Sequence, residues 1–216
     1  MTRKLAVMDV GRMGYAEALE LQFSMVEKRQ ADEIEDTLIL VEHPEVITMG
    51  RSATESDVLI GPEQLRSLGV EVFHVNRGGE VTYHGPGQLV GYLIINLYNH
   101  QRKLKKFVGD LEEVFVRMLA AEYNTEARHD DEHRGVWVGN DKITAIGIAI
   151  KNAVTMHGFA FNVNVELDHF GWIVPCGIKD RGQTSLQALL GRQLSMDSVK
   201  AQLVKYFCDV FQYEAI

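Results

Sequence analysis

The sequence predicts a single α/β domain in which a mixed, largely antiparallel sheet is flanked by helices. Strand-like segments outnumber helix-like ones and often follow one another directly, unlike the regular alternation of a doubly wound parallel fold. No Pro- or Ser-rich linker, repeat or low-complexity segment divides the 216 residues. A chain of this length buries roughly 70% of the surface that it exposes when unfolded, so it needs no disulfide or metal to fold. We therefore expect residues 1–216 to form one domain.

Helices are predicted where apolar residues recur every three or four positions. One such stripe runs from Tyr15 to Val26, and another keeps one apolar face from Leu104 to Leu119. A short helix is predicted to begin at Pro62, because proline is tolerated in a first turn. Ser195 is the predicted N-cap of a C-terminal helix. The apolar face of that helix contains Val199, Leu203, Phe207 and Val210.

Strands are predicted from short apolar runs rich in β-branched residues. The first three runs are TLILVEH at 37–43, EVITMG at 45–50 and VEVFHVN at 70–76. Residues 88–99, QLVGYLIINLYN, lack polar alternation and predict a strand buried on both faces. The runs on either side of Gly139-Asn140-Asp141 predict a hairpin. Large side chains alternate with small or polar ones in residues 154–167, which predicts a strand with two unlike faces.

Composition and charge exclude several classes of protein. The chain is 46% hydrophobic and 24% charged, which argues against disorder. No apolar run approaches the ~20 residues that cross a bilayer, and the N-terminus does not resemble a signal peptide, so we expect a cytoplasmic protein without a membrane partner. The net charge of −8 disfavours a nucleic-acid partner.

The segment from Arg77 to Tyr92, RGGEVTYHGPGQLVGY, is the most unusual in the chain because it contains five glycines. Glycine allows a positive φ and a close approach of another molecule to the backbone. Gly78 and Gly79 are therefore predicted to form one wall of a ligand pocket, and Gly85-Pro86-Gly87 a tight turn that closes it. A glycine-rich turn without a ligand is the alternative. The spacing fits neither a phosphate-binding loop nor a dinucleotide fingerprint.

The two cysteines have neither disulfide-framework nor zinc-ligand spacing. Cys176 lies between Pro175 and Gly177 after an apolar run, where a loop at a strand end would present a reactive thiol. A buried, unreactive cysteine is the alternative there. For Cys208, on the apolar stripe of the C-terminal helix, packing is the prediction.

Lys142 follows the Gly139-Asn140-Asp141 turn and begins an apolar strand. If it points inward, it is a desolvated lysine that can act as a base; the alternative is an ordinary exposed lysine at a strand end. His84 and His157 are alternative bases. A Cys/His pair would suit a hydrolase.

Two charged runs complete the candidates. His129-Asp130-Asp131-Glu132-His133 resembles a metal site in composition, but no further His or Cys completes a tetrahedral set, so a solvated acidic loop is predicted and no metal is expected. Residues 102–106, RKLKK, are either an exposed helix start or a docking patch for an acidic protein.

Four motifs in order, RGGEVTYHGPGQLVGY, KITAIGI, HGFAFNVN and IVPCGI, resemble those of the lipoyl/octanoyl transferases of lipoate biosynthesis. The resemblance runs from LILVEHPEVITMGR to RGQTSL and beyond, over most of the chain. It implies the fold of the biotin and lipoate protein ligases. It also implies transfer of an octanoyl group, without a cofactor, from acyl carrier protein to a lysine of a lipoyl domain, in 2-oxoacid dehydrogenases or the glycine cleavage H protein.

The resemblance further implies roles for individual residues. Cys176 would carry the acyl thioester of a ping-pong mechanism, and Lys142 would favour its thiolate form. The implied substrate-binding residues are Arg77, Gly78, Gly79, Glu80, Val81, Thr82, Tyr83, His84, Ala145, Ile146, Gly147, Gly158, Phe159 and Ala160. Because a thioester is already activated, such a transfer needs no ATP.

Three alternatives remain at this point: an ATP-dependent lipoate or biotin ligase, a transferase that moves the acyl group between lipoyl domains, and a non-catalytic acyl-carrier-binding module. A monomer is the default expectation. Because the chain and its expected partners are all acidic, we expect basic residues near the pocket mouth. Residues 102–106, with Lys151 or Lys179, are the candidates.

Overall fold

The computed structural model describes residues 3–100, 103–130, 133–174 and 181–216 as a mixed α/β structure. Its strands are β1 (Arg3–Arg12), β2 (Asp36–Glu42), β3 (Val46–Met49), β4 (Glu71–His74), β5 (Val81–His84), β6 (Gln88–Ile94), β7 (Arg128–His129), β8 (Val136–Val138), β9 (Asp141–Lys151), β10 (Val154–Asn162) and β11 (Tyr213–Ala215). Its helices are α1 (Tyr15–Gln30), α2 (Pro62–Leu68), α3 (Leu104–Tyr123), α4 (Leu186–Leu190) and α5 (Met196–Phe211).

Eight strands form the main sheet, in the order β11-β1-β2-β6-β10-β9-β8-β7. Strand β1 is parallel to β11 and β2, and the remaining neighbours are antiparallel. A smaller sheet, β4-β3-β5, pairs β3 parallel to β4 and antiparallel to β5. The predicted fold class, a mixed and largely antiparallel sheet flanked by helices, is confirmed.

Helices cover both faces of the main sheet. Helices α3 and α5 pack on one face, where Phe115 lies 5.0 Å from Phe159 of β10 between ring centroids. Helix α1 packs on the other face, where Val26 joins a core with Ile39 and Ala160. Because both faces are covered, every residue of β6 and β10 is buried. No helix in the described ranges has the length and apolarity needed to cross a membrane.

Most predicted elements are confirmed within a few residues, including the hairpin of β8 and β9 and the cap of α5, where Ser195 accepts the N–H of Ser198 at 3.3 Å. Two details differ. Val210 is only half-buried on the stripe of α5. In β10 the predicted unlike faces differ in side-chain size, yet neither faces solvent, because α1 and α3 cover one face each.

Candidate active site

A cavity of about 600 Å³ with a mainly apolar wall lies between the glycine-rich loop and strands β9 and β10. Its volume is typical of small-molecule sites. The predicted substrate-binding residues on its wall are Arg77, Gly78, Gly79, Glu80, Val81, Thr82, His84, Ala145, Ile146, Gly147, Gly158, Phe159 and Ala160. Tyr83 is not among the wall residues: its ring packs against Phe170 and Trp172, and its hydroxyl lies 2.8 Å from Nδ1 of His169.

The glycine-rich loop is fixed between the two sheets by Arg77. The buried guanidinium of Arg77 donates from Nη2 to the carbonyl and the hydroxyl oxygens of Thr48 on β3, at 2.8 and 2.9 Å. On the other side, the N–H of Gly78 donates to the carbonyl of Ile148 on β9 at 3.2 Å. A Cβ on Gly147 would lie 3.0 Å from the carbonyl oxygen of Gly78, so a glycine permits this close approach. The N–H of Gln88 donates to Gly85 at 3.1 Å and closes the predicted turn.

Lys142 points inward, with only 3% of the residue exposed, so the exposed alternative is excluded. Its Nζ lies 4.8 Å from the centre of the Trp137 ring. Gly135, with φ +126°, lies against the aliphatic part of the lysine: a Cβ there would be 3.4 Å from Cδ and Cε of Lys142 and 2.4 Å from the carbonyl of Thr144. The N–H of Gly135 donates to Oε1 of the buried Glu112 at 3.0 Å. The neighbours of Lys142 therefore leave its side chain little freedom.

Cys176 lies outside the described residues, so its place relative to the cavity stays a prediction. The chain on either side is described. The N–H of Val174 donates to Asp57 at 2.8 Å. The N–H of Lys142 donates to the carbonyl of Gly182, and the N–H of Thr184 donates to the carbonyl of Lys142, both at 3.0 Å. The chain that follows residues 175–180 therefore runs beside Lys142.

Two buried histidines, His84 and His157, line the cavity, and the buried His43 lies behind them, with its ring centroid 5.8 Å from that of His84. Burial lowers the pKa of His43 to about 4, and burial followed by the nearby charge of Arg77 lowers the pKa of His157 to about 4. Burial, and next the charge of His43, lower the pKa of His84 to about 3. All three imidazoles are therefore neutral at pH 7.

Hydrogen bonds fix the tautomers of the two histidines predicted as alternative bases. Nδ1 of His84 donates to Oε1 of Gln88 at 2.7 Å, because the amide nitrogen of Gln88 faces Asn162. Nε2 of His157 pairs with Oδ1 of Asn76 at 2.9 Å. His157 also has a φ of +58°, which is uncommon for a residue other than glycine.

The sequence reasoning missed several residues of the cavity wall. They are Tyr15, Ser52, Val90, Tyr92, Leu104, Val108, His133, Arg134, Ile148, Phe170 and Gln183. Tyr15, Leu104 and Val108 belong to the predicted apolar helix stripes, and periodicity alone does not distinguish a core position from the wall of a cavity.

The two charged runs behave differently. In the acidic run, Asp130 accepts Arg181 at 2.7 Å and the N–H of His133 at 3.0 Å, while residues 131 and 132 lie outside the described part. In the basic run, Lys105 lines the cavity. Lys103, two residues earlier in the chain, is exposed at the start of α3. Lys151 is placed elsewhere, 3.8 Å from Glu27. Residues 102 and 179 are not described.

Comparison with known proteins identifies relatives over nearly the whole chain. The family model of the lipoyl protein ligase A/B catalytic domain matches residues 14–208. An octanoyltransferase from Caldicellulosiruptor saccharolyticus is 53% identical, over 96% of this chain and 89% of its own length. One from Alkaliphilus metalliredigens is 49% identical, over 98% of this chain and 97% of its own length.

Solved structures show the same fold at low sequence identity. A bi-partite lipoate protein ligase from Thermoplasma acidophilum aligns with a TM-score of 0.71 at 13% identity, over 100% of this chain and 88% of its own. A biotin protein ligase from Aquifex aeolicus, in complex with biotin and ATP, aligns with a TM-score of 0.58 at 14% identity, over 96% and 70%. The fold expected from the four motifs is thus confirmed. The chain belongs to the lipoyl protein ligase A/B catalytic domain family, and its octanoyltransferase relatives establish it as an acyltransferase of lipoate biosynthesis.

Proposed function

We propose that residues 1–216 act as one catalytic domain that transfers an octanoyl group from acyl carrier protein to a lysine of a lipoyl domain. The transfer proceeds through an acyl thioester on Cys176. The observation that carries the proposal is the inward-pointing Lys142, which lines a mainly apolar cavity and pairs through its backbone with Gly182. A cytoplasmic location fits a catalytic thiol, which stays reduced there.

In the first step the Cys176 thiolate attacks the octanoyl thioester of the carrier. A new carbon–sulfur bond forms, the carbon–sulfur bond to the phosphopantetheine breaks, and the released thiolate takes up the proton of the Lys142 ammonium, which leaves Lys142 as the amine. The thiolate is the reactive form of cysteine, and a neighbouring ammonium group favours it. Lys142 is the proposed source of that charge. One thioester replaces another, so the step needs no ATP.

In the second step the amine of the acceptor lysine attacks the thioester on Cys176. An amide forms, and the carbon–sulfur bond to Cys176 breaks. Lys142, in its amine form, accepts the proton that the attacking amine loses. Formation of an amide from a thioester is downhill, so this step also proceeds without ATP.

The octanoyl chain fits the cavity because small residues line its sheet side. Ala145 and Gly147 on β9 lie opposite Ala160 and Gly158 on β10 in register, and all four belong to the wall. Burial of an alkyl chain stabilises the complex by about 0.8 kcal/mol per methylene. In this proposal the binding energy comes from the buried alkyl chain and not from the thioester that reacts.

The test is formation of an octanoyl adduct, measured by intact mass after incubation with octanoyl-acyl carrier protein and no ATP. We expect one adduct in the wild type and none in Cys176→Ala. Cys208→Ala is the matched control, because Cys208 is half-buried on α5 and its pKa is raised by burial and by Asp209. This control should keep the adduct. Normal turnover by Cys176→Ala would overturn the proposal.

The same assay separates the other candidate functions. A transferase between lipoyl domains would react with an octanoylated lipoyl domain but not with the carrier. A ligase would require free octanoate or lipoate with ATP. A binding module would bind the carrier without forming any adduct.

A further inference from the structure

One edge of strand β9 is open where the strand borders the cavity. Strand β8 pairs with β9 only as far as Thr144, opposite Val136, whereas β9 continues to Lys151. The next backbone contact along that edge is the hydrogen bond from Gly78 to the carbonyl of Ile148. Between Thr144 and Ile148, about 13 Å of strand, no strand from the described ranges covers the edge.

The open edge presents the backbone of Ile146. In an antiparallel pair, the N–H and C=O of one residue face the partner strand, and those of the next residue face the other edge. Residues two positions apart therefore face the same edge. The carbonyl of Ile148 faces Gly78, away from β10, so the N–H and C=O of Ile146, two residues earlier, face the same way. Neither group has a hydrogen-bond partner among the residues that the structure describes. Ile146 is half-buried and lines the cavity.

An alkyl chain cannot satisfy these two groups. A backbone donor and acceptor covered by a hydrocarbon lose their water without gaining a partner, which is unfavourable. A ligand unit flanked by two amides can satisfy both, because its C=O, from one amide, and its N–H, from the other, can face the same side, as in one residue of an added strand. The edge therefore favours a ligand that carries two consecutive amides near its acyl group.

We infer that the open edge of β9 at Ile146 binds the β-alanine unit of the donor's pantetheine arm. The C=O of that unit accepts the N–H of Ile146, and its N–H, which belongs to the other amide of the arm, donates to the C=O of Ile146. The inference rests on the proposed function, whose donor carries two secondary amides beyond the sulfur. The octanoyl chain then lies over the small residues, Ala145 and Ala160 among them, rather than along the open edge.

The gap favours a narrow arm over a peptide strand of the acceptor. It is closed at one end by β8 and at the other by the Gly78 contact, so it leaves room for one residue-sized unit but not for a strand paired over many residues. A lipoyl domain presents its lysine through four methylenes, which keeps the folded backbone at the cavity mouth. The pantetheine arm is thin enough to enter.

Replacement of single atoms in the donor tests the inference. Two analogues of S-octanoyl-pantetheine each have one amide N–H replaced by an ester oxygen, and their rates of Cys176 acylation are compared with that of the parent compound. Loss of one hydrogen bond to the Ile146 carbonyl should lower kcat/KM by roughly three- to ten-fold for one analogue. The uncatalysed rates with free cysteine correct for differences in thioester reactivity.

A protein variant locates the contact. Ile146→Pro removes the N–H at an edge position, where proline is tolerated, and Ile146→Val is the matched control that keeps it. The preference for the parent compound should shrink in the proline variant and persist in the valine variant. If the proline variant does not fold, the analogue series alone decides the outcome. Equal rates for all three donors, or an unchanged preference in folded Ile146→Pro, would overturn the inference. If no thioester acylates Cys176, the proposed function itself has failed.

Discussion

The buried carboxylate of Glu112 on α3 accepts the backbone N–H of Gly135 at 3.0 Å, and Gly135 lies directly against the side chain of Lys142. The other oxygen of Glu112 lies 3.6 Å from the guanidinium of Arg134. Residues 133–135 therefore link the interior of α3 to one wall of the cavity. We therefore expect Glu112 to act as a positioning residue for Lys142.

Glu112→Ala should slow Cys176 acylation as well as destabilise the fold. The substitution leaves the buried N–H of Gly135 without a partner, which costs about 1–3 kcal/mol in the free energy of unfolding. Lys142 also loses the wall that confines its side chain, so kcat for acylation should fall several-fold. Urea unfolding and single-turnover acylation measure the two effects.

Glu112→Gln separates positioning from simple stability. The glutamine keeps an acceptor for Gly135 but removes the charge, so acylation should recover most of its wild-type rate. If Glu112→Ala were less stable but acylated at the wild-type rate per folded molecule, Glu112 would only stabilise the fold.

Tyr213 should stabilise the sheet end without affecting catalysis. Its hydroxyl donates to Oδ2 of the buried Asp36 at 2.6 Å and so joins β11 to β2 across β1. Tyr213→Phe leaves that oxygen of Asp36 without this donor, and the free energy of unfolding should fall by about 1–3 kcal/mol. Urea unfolding measures the change.

Tyr206→Phe is the matched control, because the Tyr206 hydroxyl also bonds a carboxylate, that of Glu122, but at the exposed surface. It should change stability little. Equal effects of the two substitutions would contradict the importance of the buried bond. In both variants the acylation rate per folded molecule should equal that of the wild type, because neither residue lines the cavity.

The sequence predicts much of this fold because the central elements have strong periodic patterns. Helix α3 and strand β6 are examples, since the former keeps one apolar stripe and the latter is apolar throughout. Strands β1 and β11 carry no such pattern. They pair with each other at the sheet margin, so most of the side chains of β1 remain at least partly exposed and its strand structure depends on distant partners.

The cavity shows a similar division. The glycines and small residues of its wall stand out in the sequence as motifs, but the direction of Lys142 does not. It depends on the irregular register between β8 and β9, where Val136 lies opposite Thr144 and Trp137 opposite Lys142. Tyr83 shows the opposite case: it belongs to the motif, yet its ring packs in the core of the smaller sheet. Side-chain direction follows from tertiary pairing, which local sequence does not specify.

Stability should fall as the pH drops from about 6.5 to about 4. His43 and His157 have pKa values lowered to about 4 by burial, whereas an unfolded histidine titrates near 6.5. Between these values the unfolded chain binds more protons than the folded one, so protonation favours unfolding. The stabilising contribution is complete above pH 6.5 and is lost as the pH falls, by about 1.4 kcal/mol per pH unit for each histidine.

Urea unfolding at half-unit steps between pH 7.5 and about 4.5 measures the slope of the free energy of unfolding against pH. In His43→Gln the slope should decrease by the contribution of one histidine. An identical slope in the variant and the wild type would show that His43 is protonated in the folded protein, contrary to its buried contacts with Met13 and Tyr92.

Charge reversal at the start of α3 should weaken binding of the acidic carrier. The protein has a net charge of −8, so an acidic partner is repelled at long range unless cations lie at the cavity mouth. Lys105 lines the cavity, and Lys103 precedes it on the same exposed turn. The double variant Lys103→Glu/Lys105→Glu should raise the KM for octanoyl-acyl carrier protein about ten-fold at low salt.

The matched control, Lys4→Glu/Lys28→Glu, changes the net charge equally at exposed sites on β1 and α1. It should raise KM much less, and the difference between the two double variants should shrink as salt screens the charges. With a small donor that lacks the acidic carrier, S-octanoyl-pantetheine, the difference in KM between the two double variants should be much smaller. Equal KM values for the carrier in the two double variants would show that the carrier docks elsewhere.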